Sequence, residues 1–585
     1  MSRVMIVKKE RCNPQGCGGF LCMRVSPSNR AGKECIVQSD DGKVEVNEEV
    51  LTDADFIAAK KCPFDALLLV NLPAELKKEP IHRYGKNKFA LYNLPVPSFG
   101  KVVGIIGRNG IGKSTAIQIL AGQIEPNLGD FEKGAASHED LIDYFKGTEA
   151  QAFLEKVKKG EIKVAYKPQR VELIPKQFKG TCKELLEKVN EKGDDELKRI
   201  IEVLDLDKIL DNDIAKISGG ELQRIAIAAT VLKQANVYLF DEPTSYLDIK
   251  QRLKLSKFIR TLATPDTAVL VIEHDLIILD YMTDLVYLMY GKETAYGIVS
   301  QTKTTKAGIN VYLSGYLKEE NIRFRDQKIK FESRPPRTST KEEERVSWKE
   351  FKETVGKFSL KATPGTLHRH EIMGVLGENG IGKTTFVKVL AGEIGEHSIE
   401  DLKISYKPQY LEAEDELVAV ALKDAIKKHS NDIIRPLSLE PLLNLKVSEL
   451  SGGELQRVKI AQALAKEADI VLLDEPSAYL DVEQRLQVSK VINDVMMNTG
   501  RASIVVDHDL LFLDYLSDRL IVFDGEPAVH GIAKGPFSME NGMNKFLADI
   551  NMTFRRDEEN HRPRANKEES LKDREQKASG KLYYS

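Results

Sequence analysis

The chain has 585 residues, of which 42% are hydrophobic and 30% are charged, and its formal net charge is -3. This length exceeds what one hydrophobic core supports, so it predicts three or four domains, and the near-neutral charge excludes a strongly basic protein that wraps nucleic acid. No stretch approaches the roughly 20 apolar residues of a membrane-spanning helix, and the N-terminus lacks the apolar core of a signal peptide. We therefore expect a soluble cytoplasmic protein.

Five of the six cysteines lie in the first 72 residues. So few cysteines in so long a chain do not make a disulfide scaffold, and their crowding favours metal binding in a reducing compartment. The segment CNPQGCGGFLCMRVSP at residues 12–27, and Cys62 with the proline after it, resemble the cysteine runs of a two-cluster bacterial-type ferredoxin. In that family the last cysteine of each run precedes a proline and binds the other cluster.

This resemblance implies a ferredoxin-like α+β domain over residues 1–72. One cluster site would be complete, with thiolates from Cys12, Cys17, Cys22 and Cys62. The other site has lost its cysteines, and the matching positions are Ser26, Thr52, Asp55 and Ala58. We therefore predict a single 4Fe-4S cluster, while zinc, which also accepts four thiolates, and a metal-free domain stay open. Cys35 and Cys182 fit neither run and are expected to be packing residues.

After this domain, one set of motifs occurs twice in the sequence. GIIGRNGIGKST at Gly104–Thr115 returns as GVLGENGIGKTT at Gly374–Thr385, and three further motifs return in the same order. Matched motifs in a matched order indicate two duplicated domains.

Each of these two motifs has the form G-x-x-x-x-G-K-[ST], the P-loop. Its glycines let backbone N–H groups surround phosphate oxygens, and the next helix presents its positive N-terminus. Lys113 and Lys383 are expected to reach the β- and γ-phosphates, and Ser114 and Thr384 to bind magnesium. The residues predicted to bind ATP are Gly107, Asn109, Gly110, Gly112, Lys113, Ser114 and Thr115 in the first copy, and Gly377, Asn379, Gly380, Gly382, Lys383, Thr384 and Thr385 in the second.

The first copy is longer than the second by about 30 residues, inserted near residues 130–160. Ser137 with Asp140, and Thr148 with Gln151, have capping-box patterns, and apolar residues follow each at helical spacing. We predict a helix-loop-helix that stands out from the first copy. A surface hairpin without a partner is the alternative.

An aspartate–glutamate pair ends an apolar strand in each copy, in VYLFDE and IVLLDE. Asp241 and Asp474 are expected beside magnesium at the carboxyl end of the strand. The next residues, Glu242 and Glu475, are then placed to polarise the attacking water.

The segments ISGGELQ at 217–223 and LSGGELQ at 450–456 resemble the signature of ATP-binding cassette (ABC) proteins. In those proteins the signature of one cassette caps the ATP bound by the P-loop of the other. The resemblance implies a monomer with two intramolecular composite ATP sites, one pairing Lys113 with Ser451 and one pairing Lys383 with Ser218. The signature glycines expected to line these sites are Gly220 and Gly453.

The same resemblance assigns the remaining site residues. Gln169 and Gln409 match the Q-loop glutamines, which also contact magnesium, and His274 and His508 match the histidines that sense the γ-phosphate. The candidates for stacking on adenine are Tyr84 in the first cassette and Phe351 or Trp348 in the second.

A smaller repeat, YLKEENIRFRDQ at 316–327 and FLADINMTFRRDEE at 546–559, follows each cassette and predicts two hinges. The tail beyond Arg564 is charged and poor in apolar residues, so we expect an irregular wrap. The predicted domains are a head at 1–72, a first cassette at 73–300 with its insert at 130–160, a hinge at 301–340, a second cassette at 341–535, and a second hinge with the tail at 536–585.

A cysteine head, two cassettes, an insert in the first cassette only and two hinges resemble ABC subfamily E, the ribosome-recycling ATPases also known as RNase L inhibitors. The implied fold class is α/β, with two P-loop ABC nucleotide-binding domains in tandem behind the ferredoxin-like domain. The resemblance implies ATP hydrolysis, with ATP and Mg²⁺ bound. It also implies that closure of the cassettes moves the head and splits ribosomes after termination or rescue. The implied partners are the ribosome, its small subunit, and a class-1 release factor or a Pelota-type factor.

Three other classes of protein are compatible with parts of this pattern. The ATPase subunit of a membrane transporter shares the cassette motifs but needs neither the metal head nor the insert. An ABC translation factor of the F subfamily lacks the cysteine head. A structural protein with inert cassettes is disfavoured, because both water-polarising glutamates are present.

Overall fold

The computed structural model describes residues 3–47, 50–71, 79–326, 328–329, 331, 344–395, 403–409 and 411–583. The chain divides into two compact units. The first comprises Met1–Ser245, Phe258–Glu273 and Thr283–Asp326, and the second comprises Tyr246–Lys257, His274–Met282 and Gln327–Ser585. The predicted domain boundaries at 72/73 and 340/341 lie outside the described residues.

The head is a small α+β domain, as predicted. Its strands Arg3–Val7 and Leu67–Asn71 pair antiparallel, as do Ile36–Gln38 and Val44–Val46. Its helices are Leu21–Val25, Pro27–Arg30 and Phe56–Lys61. The core of the head contains Met5, Ile36, Val44 and Val46, together with three of its cysteines, Cys12, Cys22 and Cys35.

The first cassette is built on a sheet whose central strands are parallel. The P-loop strand, Val102–Ile106, and the strand that ends at Asp241 are buried at every position, as expected for strands covered on both faces. In spatial order the parallel strands are Leu285–Lys292, Val102–Ile106, Ala268–Ile272, Val237–Asp241 and Val164–Lys167. The remaining described strands of this sheet are His82–Arg83, Ala90–Tyr92, Tyr296–Val299 and Lys303–Thr304.

Helices lie between these strands along the chain. The described α-helices from residue 113 to residue 282 are Lys113–Leu120, His138–Tyr144, Glu149–Lys158, Ile174–Gln177, Cys182–Val189, Asp194–Val203, Gly219–Val231, Ile249–Thr261 and Leu276–Met282.

The insert forms the two predicted helices, His138–Tyr144 and Glu149–Lys158. The predicted capping box of Ser137 with Asp140 is confirmed. The predicted capping box of Thr148 with Gln151 is wrong, because the Gln151 side chain instead accepts a hydrogen bond from the Gly147 amide at 2.8 Å. The expectation that the insert stands out from the cassette also needs correction. Its apolar residues Phe145, Ala150 and Phe153 are buried in the hydrophobic core of the first cassette.

The second cassette repeats this architecture. Its parallel strands, in spatial order, are Arg519–Glu526, Ile372–Leu376, Ala502–Val506, Ile470–Asp474 and Ile404–Lys407. The same sheet includes Phe351–Val355, Phe358–Ala362 and His530–Ser538, while Glu344–Trp348 pairs with Gly365–His368. The strand His530–Ser538 crosses the predicted boundary at 535/536, so the sheet extends beyond it. The described α-helices are Lys383–Leu390, Val418–Ala421, Lys423–Lys428, Gly452–Ala465, Val482–Thr499 and Leu510–Leu516.

The hinge segments contain short antiparallel strand pairs. In the first, Tyr316–Leu317 pairs with Ile322–Arg323 after the helix Thr305–Ser314, and part of this hinge lies outside the described residues. In the second, Phe554–Arg556 pairs with Pro563–Ala565 after the helix Met539–Asp549.

The expectation of an irregular tail is wrong. Residues Leu571–Ser579 form a helix whose N-cap is Ser570. Its buried Asp573 accepts a hydrogen bond from Thr553 at 2.7 Å, so this helix is attached to the second hinge. No helix in the described part of the chain has the length and apolarity needed to cross a membrane.

Candidate nucleotide sites and metal site

The P-loops connect the central strands to the helices Lys113–Leu120 and Lys383–Leu390. The N-cap residues Gly112 and Gly382 have φ values of 89° and 97°, which residues with a Cβ rarely adopt. A Cβ on Gly112 would also come within 2.5 Å of the Phe89 ring. Glycine is therefore required at the start of the helix that would receive the phosphates.

The P-loop lysines are buried inside their own loops. Lys113 Nζ donates to the carbonyl oxygens of Gly107 and Arg108 at 2.9 and 2.6 Å. Lys383 Nζ makes the equivalent bonds, at 3.0 and 2.6 Å, and burial lowers the pKa of this lysine to about 8. Each loop thus surrounds a cationic group with backbone, which is suited to binding phosphate.

The aspartates predicted to lie beside magnesium are almost completely buried. Burial raises the pKa of both Asp241 and Asp474 to about 6. Asp474 accepts a hydrogen bond from Thr384 Oγ1 at 2.7 Å through one oxygen, and the other has no hydrogen-bond partner among the described residues. A buried carboxylate oxygen without a partner fits a site for a divalent cation.

The glutamates after these aspartates lie at the ends of the strands. The Q-loop glutamine donates to each of them: Gln169 to Glu242 and Gln409 to Glu475, both at 2.8 Å. His508 Nε2 lies 3.5 Å from Glu475 Oε1. Although burial acts to raise the pKa of Glu475, the nearby His508, Lys383 and Gln409 lower it to about 2. The Glu475 carboxylate is therefore ionised and can orient a water molecule by accepting a hydrogen bond from it.

His274 is buried and follows the strand Ala268–Ile272, as His508 follows Ala502–Val506. The acidic residue before each histidine was not predicted as part of a site. Thr244 Oγ1 donates to Glu273 at 2.6 Å, and Ser477 Oγ donates to Asp507 at 2.7 Å. In both cassettes this hydrogen bond connects the loop after the glutamate to the loop that contains the histidine. Alignment of the two copies could have indicated these paired residues.

The signature serines are the N-caps of the helices Gly219–Val231 and Gly452–Ala465. In each cassette the serine hydroxyl forms a capping box with the glutamate three residues on, at 2.7 Å. The signature glycines Gly220 and Gly453 lie in the first turns of these helices, where backbone N–H groups are directed outward.

The candidates for adenine stacking differ between the cassettes. Tyr84 is 47% exposed, and its hydroxyl lies 3.1 Å from Thr115 Oγ1 at the end of the P-loop, so its ring is available beside the site. Phe351 and Trp348, in contrast, are buried and pack against Phe386 of the P-loop helix. The prediction that one of them stacks on adenine is wrong, because both belong to the hydrophobic core.

The four cysteines predicted to bind a cluster line one cavity in the head. Cys12, Cys17, Cys22 and Cys62 share its wall with apolar residues that include Phe20 and Leu67. Burial raises the pKa of Cys22 to about 12 and raises that of Cys12, so an uncompensated thiolate is unfavourable there. No three acidic, histidine or cysteine side chains of the described residues are close enough to share one metal ion. Four thiols around one cavity are a donor set that either a 4Fe-4S cluster or a zinc ion could use.

A hydrogen-bonded carboxylate lies at the positions predicted to correspond to a second cluster site. Asp55 is fully buried and accepts hydrogen bonds from the hydroxyls of Ser26, Ser28 and Thr52 at 2.5–2.6 Å. The amides of Ser28 and Thr52 also donate to it, each at 2.9 Å. Burial opposes ionisation, but these donors lower the pKa of Asp55 well below its usual value. Cys35 packs beside this network, fully buried, as expected of a packing residue.

Comparison with known proteins places these sites in a family. A family model described as ABC transporter matches residues 96–245 and 360–478. ABC transporter E family member 1 of Arabidopsis thaliana is 43% identical to this chain, and the similarity covers all of this chain and 99% of that protein. The chain belongs to the ABC transporter E family.

Two solved structures of E-family proteins resemble this one. A chain in a model of ribosome-bound archaeal Pelota and ABCE1 is 48% identical, with a TM-score of 0.93 and coverage of 100% of this chain and 99% of that chain. A chain in the crystal structure of archaeal ribosomal stalk protein aP1 with the archaeal ribosome recycling factor aABCE1 is 50% identical. Its TM-score is 0.82, and the match covers 88% of this chain and 100% of that chain. Membership of the E family confirms the prediction of two ABC-type ATPase cassettes.

Proposed function

We propose that this protein is an ATP-driven ribosome recycling factor, which splits ribosomes after termination or rescue and stays bound to the small subunit. The observation that carries the proposal is the full-length likeness to a protein solved on the ribosome with Pelota. The likeness includes the head and the insert, which a transporter ATPase does not need. The proposed partners are the ribosome and a class-1 release factor or Pelota-type factor, and the proposed location is the cytoplasm.

The proposed chemistry is hydrolysis of MgATP in both cassettes. Glu242 and Glu475 would polarise the attacking water, His274 and His508 would contact the γ-phosphate, and the P-loop, Q-loop, signature and aspartate residues would bind ATP and magnesium. Supporting this proposal, each glutamate accepts a hydrogen bond from the glutamine of its own cassette, so both carboxylates have the same local geometry.

The double variant Glu242→Gln with Glu475→Gln tests these roles. Glutamine keeps the size of the side chain but cannot accept a proton, so we expect ATP turnover to fall about 10²–10⁴-fold while ATP binding is retained. Turnover near that of the unmodified protein would contradict the assignment of both glutamates.

The proposed resident cofactor of the head is one 4Fe-4S cluster bound by Cys12, Cys17, Cys22 and Cys62. When bound, it would supply four iron–thiolate bonds that cross-link the segment 12–22 to Cys62. The apolar cavity between these thiols supports the assignment. Zinc in the same place is the alternative, and metal analysis of anaerobically purified protein distinguishes the two.

Sedimentation with ribosomal subunits tests the proposed partner. With a non-hydrolysable ATP analogue, the protein should co-sediment with small subunits, and with ATP and a release or rescue factor it should convert whole ribosomes to subunits. Binding without splitting would contradict the proposed recycling activity, and the absence of binding would contradict the proposed partner.

The insert is proposed to contribute to ribosome binding, because it is present in the first cassette only. Deleting it would uncover core residues, so we propose charge reversal at two of its exposed lysines, Lys146→Glu with Lys159→Glu. We expect weaker binding to small subunits with unchanged ATPase activity. The matched control is Lys208→Glu with Lys423→Glu, which reverses two exposed lysines outside the insert. Equal binding by the two variants would remove this role from the insert.

A further inference from the structure

Each cassette buries a lysine two positions before its Q-loop glutamine. Lys167 and Lys407 are 0% and 1% exposed, and both end the strand that leads into the Q-loop. Lys167 Nζ donates to the carbonyl oxygens of Asp241 and Glu242 at 2.9 and 3.2 Å. The Lys407 ammonium donates to the equivalent carbonyl oxygens at 2.7 and 3.2 Å.

A second buried donor reaches the same carbonyl oxygen from the signature helix. Gln223 Nε2 lies 2.7 Å from the carbonyl oxygen of Glu242, and Gln456 Nε2 lies 2.6 Å from that of Glu475. Both glutamines are 0% exposed. In each cassette, the Q-loop strand and the signature helix therefore both donate a hydrogen bond to the carbonyl oxygen of the glutamate.

The backbone held by these donors has an unusual conformation. Glu242 and Glu475 have φ values of 47° and 48°, in the left-handed region that residues other than glycine rarely adopt. Their amides donate to the carbonyl oxygens of Ile272 and Val506, at 3.0 and 2.8 Å. Hydrogen bonds at both the amide and the carbonyl oxygen of each glutamate thus hold its backbone in the left-handed conformation.

The presence of a buried ammonium in both cassettes needs an explanation. Removing a lysine from water is costly unless its charge is paired or hydrogen-bonded, and an apolar side chain would fill the same space without that cost. Both lysine ammonium groups donate to the carbonyl oxygens of the aspartate and the glutamate. In each cassette the buried charge is therefore hydrogen-bonded to the backbone of these two residues. Packing alone does not require a lysine there.

We infer that Lys167 with Gln223, and Lys407 with Gln456, are positioning residues for hydrolysis. They hold the left-handed backbone of the glutamate and so direct its carboxylate toward the attacking water. This inference rests on the proposed role of Glu242 and Glu475 in polarising that water. Because the donors come from the Q-loop strand and the signature helix, displacement of either element would withdraw the carboxylate from the water.

The test replaces the donors without removing the side-chain volume, in Lys167→Met with Lys407→Met and separately in Gln223→Leu with Gln456→Leu. Small displacements of reacting groups reduce rates strongly, so we expect kcat for ATP to fall about ten- to a hundredfold in either variant. The dissociation constant for ATP should be unchanged. The control Lys208→Met with Lys423→Met removes two exposed lysines and should keep the unmodified rate.

The same substitutions made in a protein that lacks both glutamates distinguish a positioning role from a general structural role. In the Glu242→Gln, Glu475→Gln protein, single-turnover hydrolysis should show no further loss when the lysines or glutamines are replaced, because the donors act through the glutamate. An equal fold-loss in both backgrounds would overturn the inference, as would an unchanged kcat in the lysine and glutamine variants. Unchanged turnover in the glutamate variant itself would instead refute the proposed function of the glutamates.

Discussion

The two sides of the head differ in their chemistry. On one side, thiols of Cys12, Cys22 and Cys62 line an apolar cavity, and burial raises the pKa of Cys12 and of Cys22. On the other side, Asp55 is ionised and surrounded by hydroxyl and amide donors. The comparison teaches that a buried carboxylate with enough donors joins its segments by hydrogen bonds alone, whereas the thiols offer ligands to the proposed metal.

The largest effect should come from removing one cluster ligand. In Cys62→Ser, iron in anaerobically purified protein should fall from about four per chain to near zero, because the variant lacks the fourth thiolate of the proposed site. Cys35→Ser is the matched control, and it should keep the iron, since Cys35 packs against the Asp55 network. Iron and acid-labile sulfide analysis is the measurement, and stoichiometric zinc in the unmodified protein would contradict the cluster.

Cysteines at the four positions assigned to the second site, around Asp55, should give both sides of the head a cluster. A variant with Ser26→Cys, Thr52→Cys, Asp55→Cys and Ala58→Cys should bind about eight irons per chain after anaerobic reconstitution, since each side would then have four thiols. Electron paramagnetic resonance of the reduced protein should show coupling between two clusters. If iron stays at about four per chain, the positions assigned to the lost site are wrong.

Removing the Asp55 carboxylate should weaken the head without changing its iron. In Asp55→Ala the buried hydroxyls of Ser26 and Ser28 lose an acceptor, and we expect the free energy of unfolding of the head to fall by about 1–3 kcal/mol. Hydrogen exchange of residues 26–58 measures this change. Asp40→Ala, which removes an exposed carboxylate of the same domain, should leave exchange unchanged.

The smallest effect concerns pH. The pKa of Asp55 is lower in the folded head than in the unfolded chain, so its contribution to stability is present above the unfolded value near 3.9 and is lost as pH falls below it. The stability difference between the unmodified protein and Asp55→Asn should be constant from pH 7 to about pH 5 and should narrow below about pH 4. A difference that instead grew on acidification would mean that Asp55 is protonated in the folded head.

Much of the nucleotide site could be predicted because its chemistry is local. In the P-loop, Lys113 and Lys383 contact backbone groups five and six residues away, and Ser218 and Ser451 cap helices that begin at the next residue. Spacing in the sequence is then enough to place them. The wrong assignment of Phe351 and Trp348 had another origin, since an aromatic residue before a P-loop can equally well belong to the core, and only burial distinguishes the two.

By itself, the sequence determined the two cassettes and their repeated motifs, and it grouped four cysteines of the head into one predicted ligand set. The tertiary structure decided that the insert packs on the core, that Asp55 is the centre of a hydrogen-bonded network and that Lys167 reaches the backbone of Glu242. These contacts join residues far apart in the chain, 75 positions in the case of Lys167. Local spacing carries no information about such pairs, because they depend on which strands and helices the fold brings together.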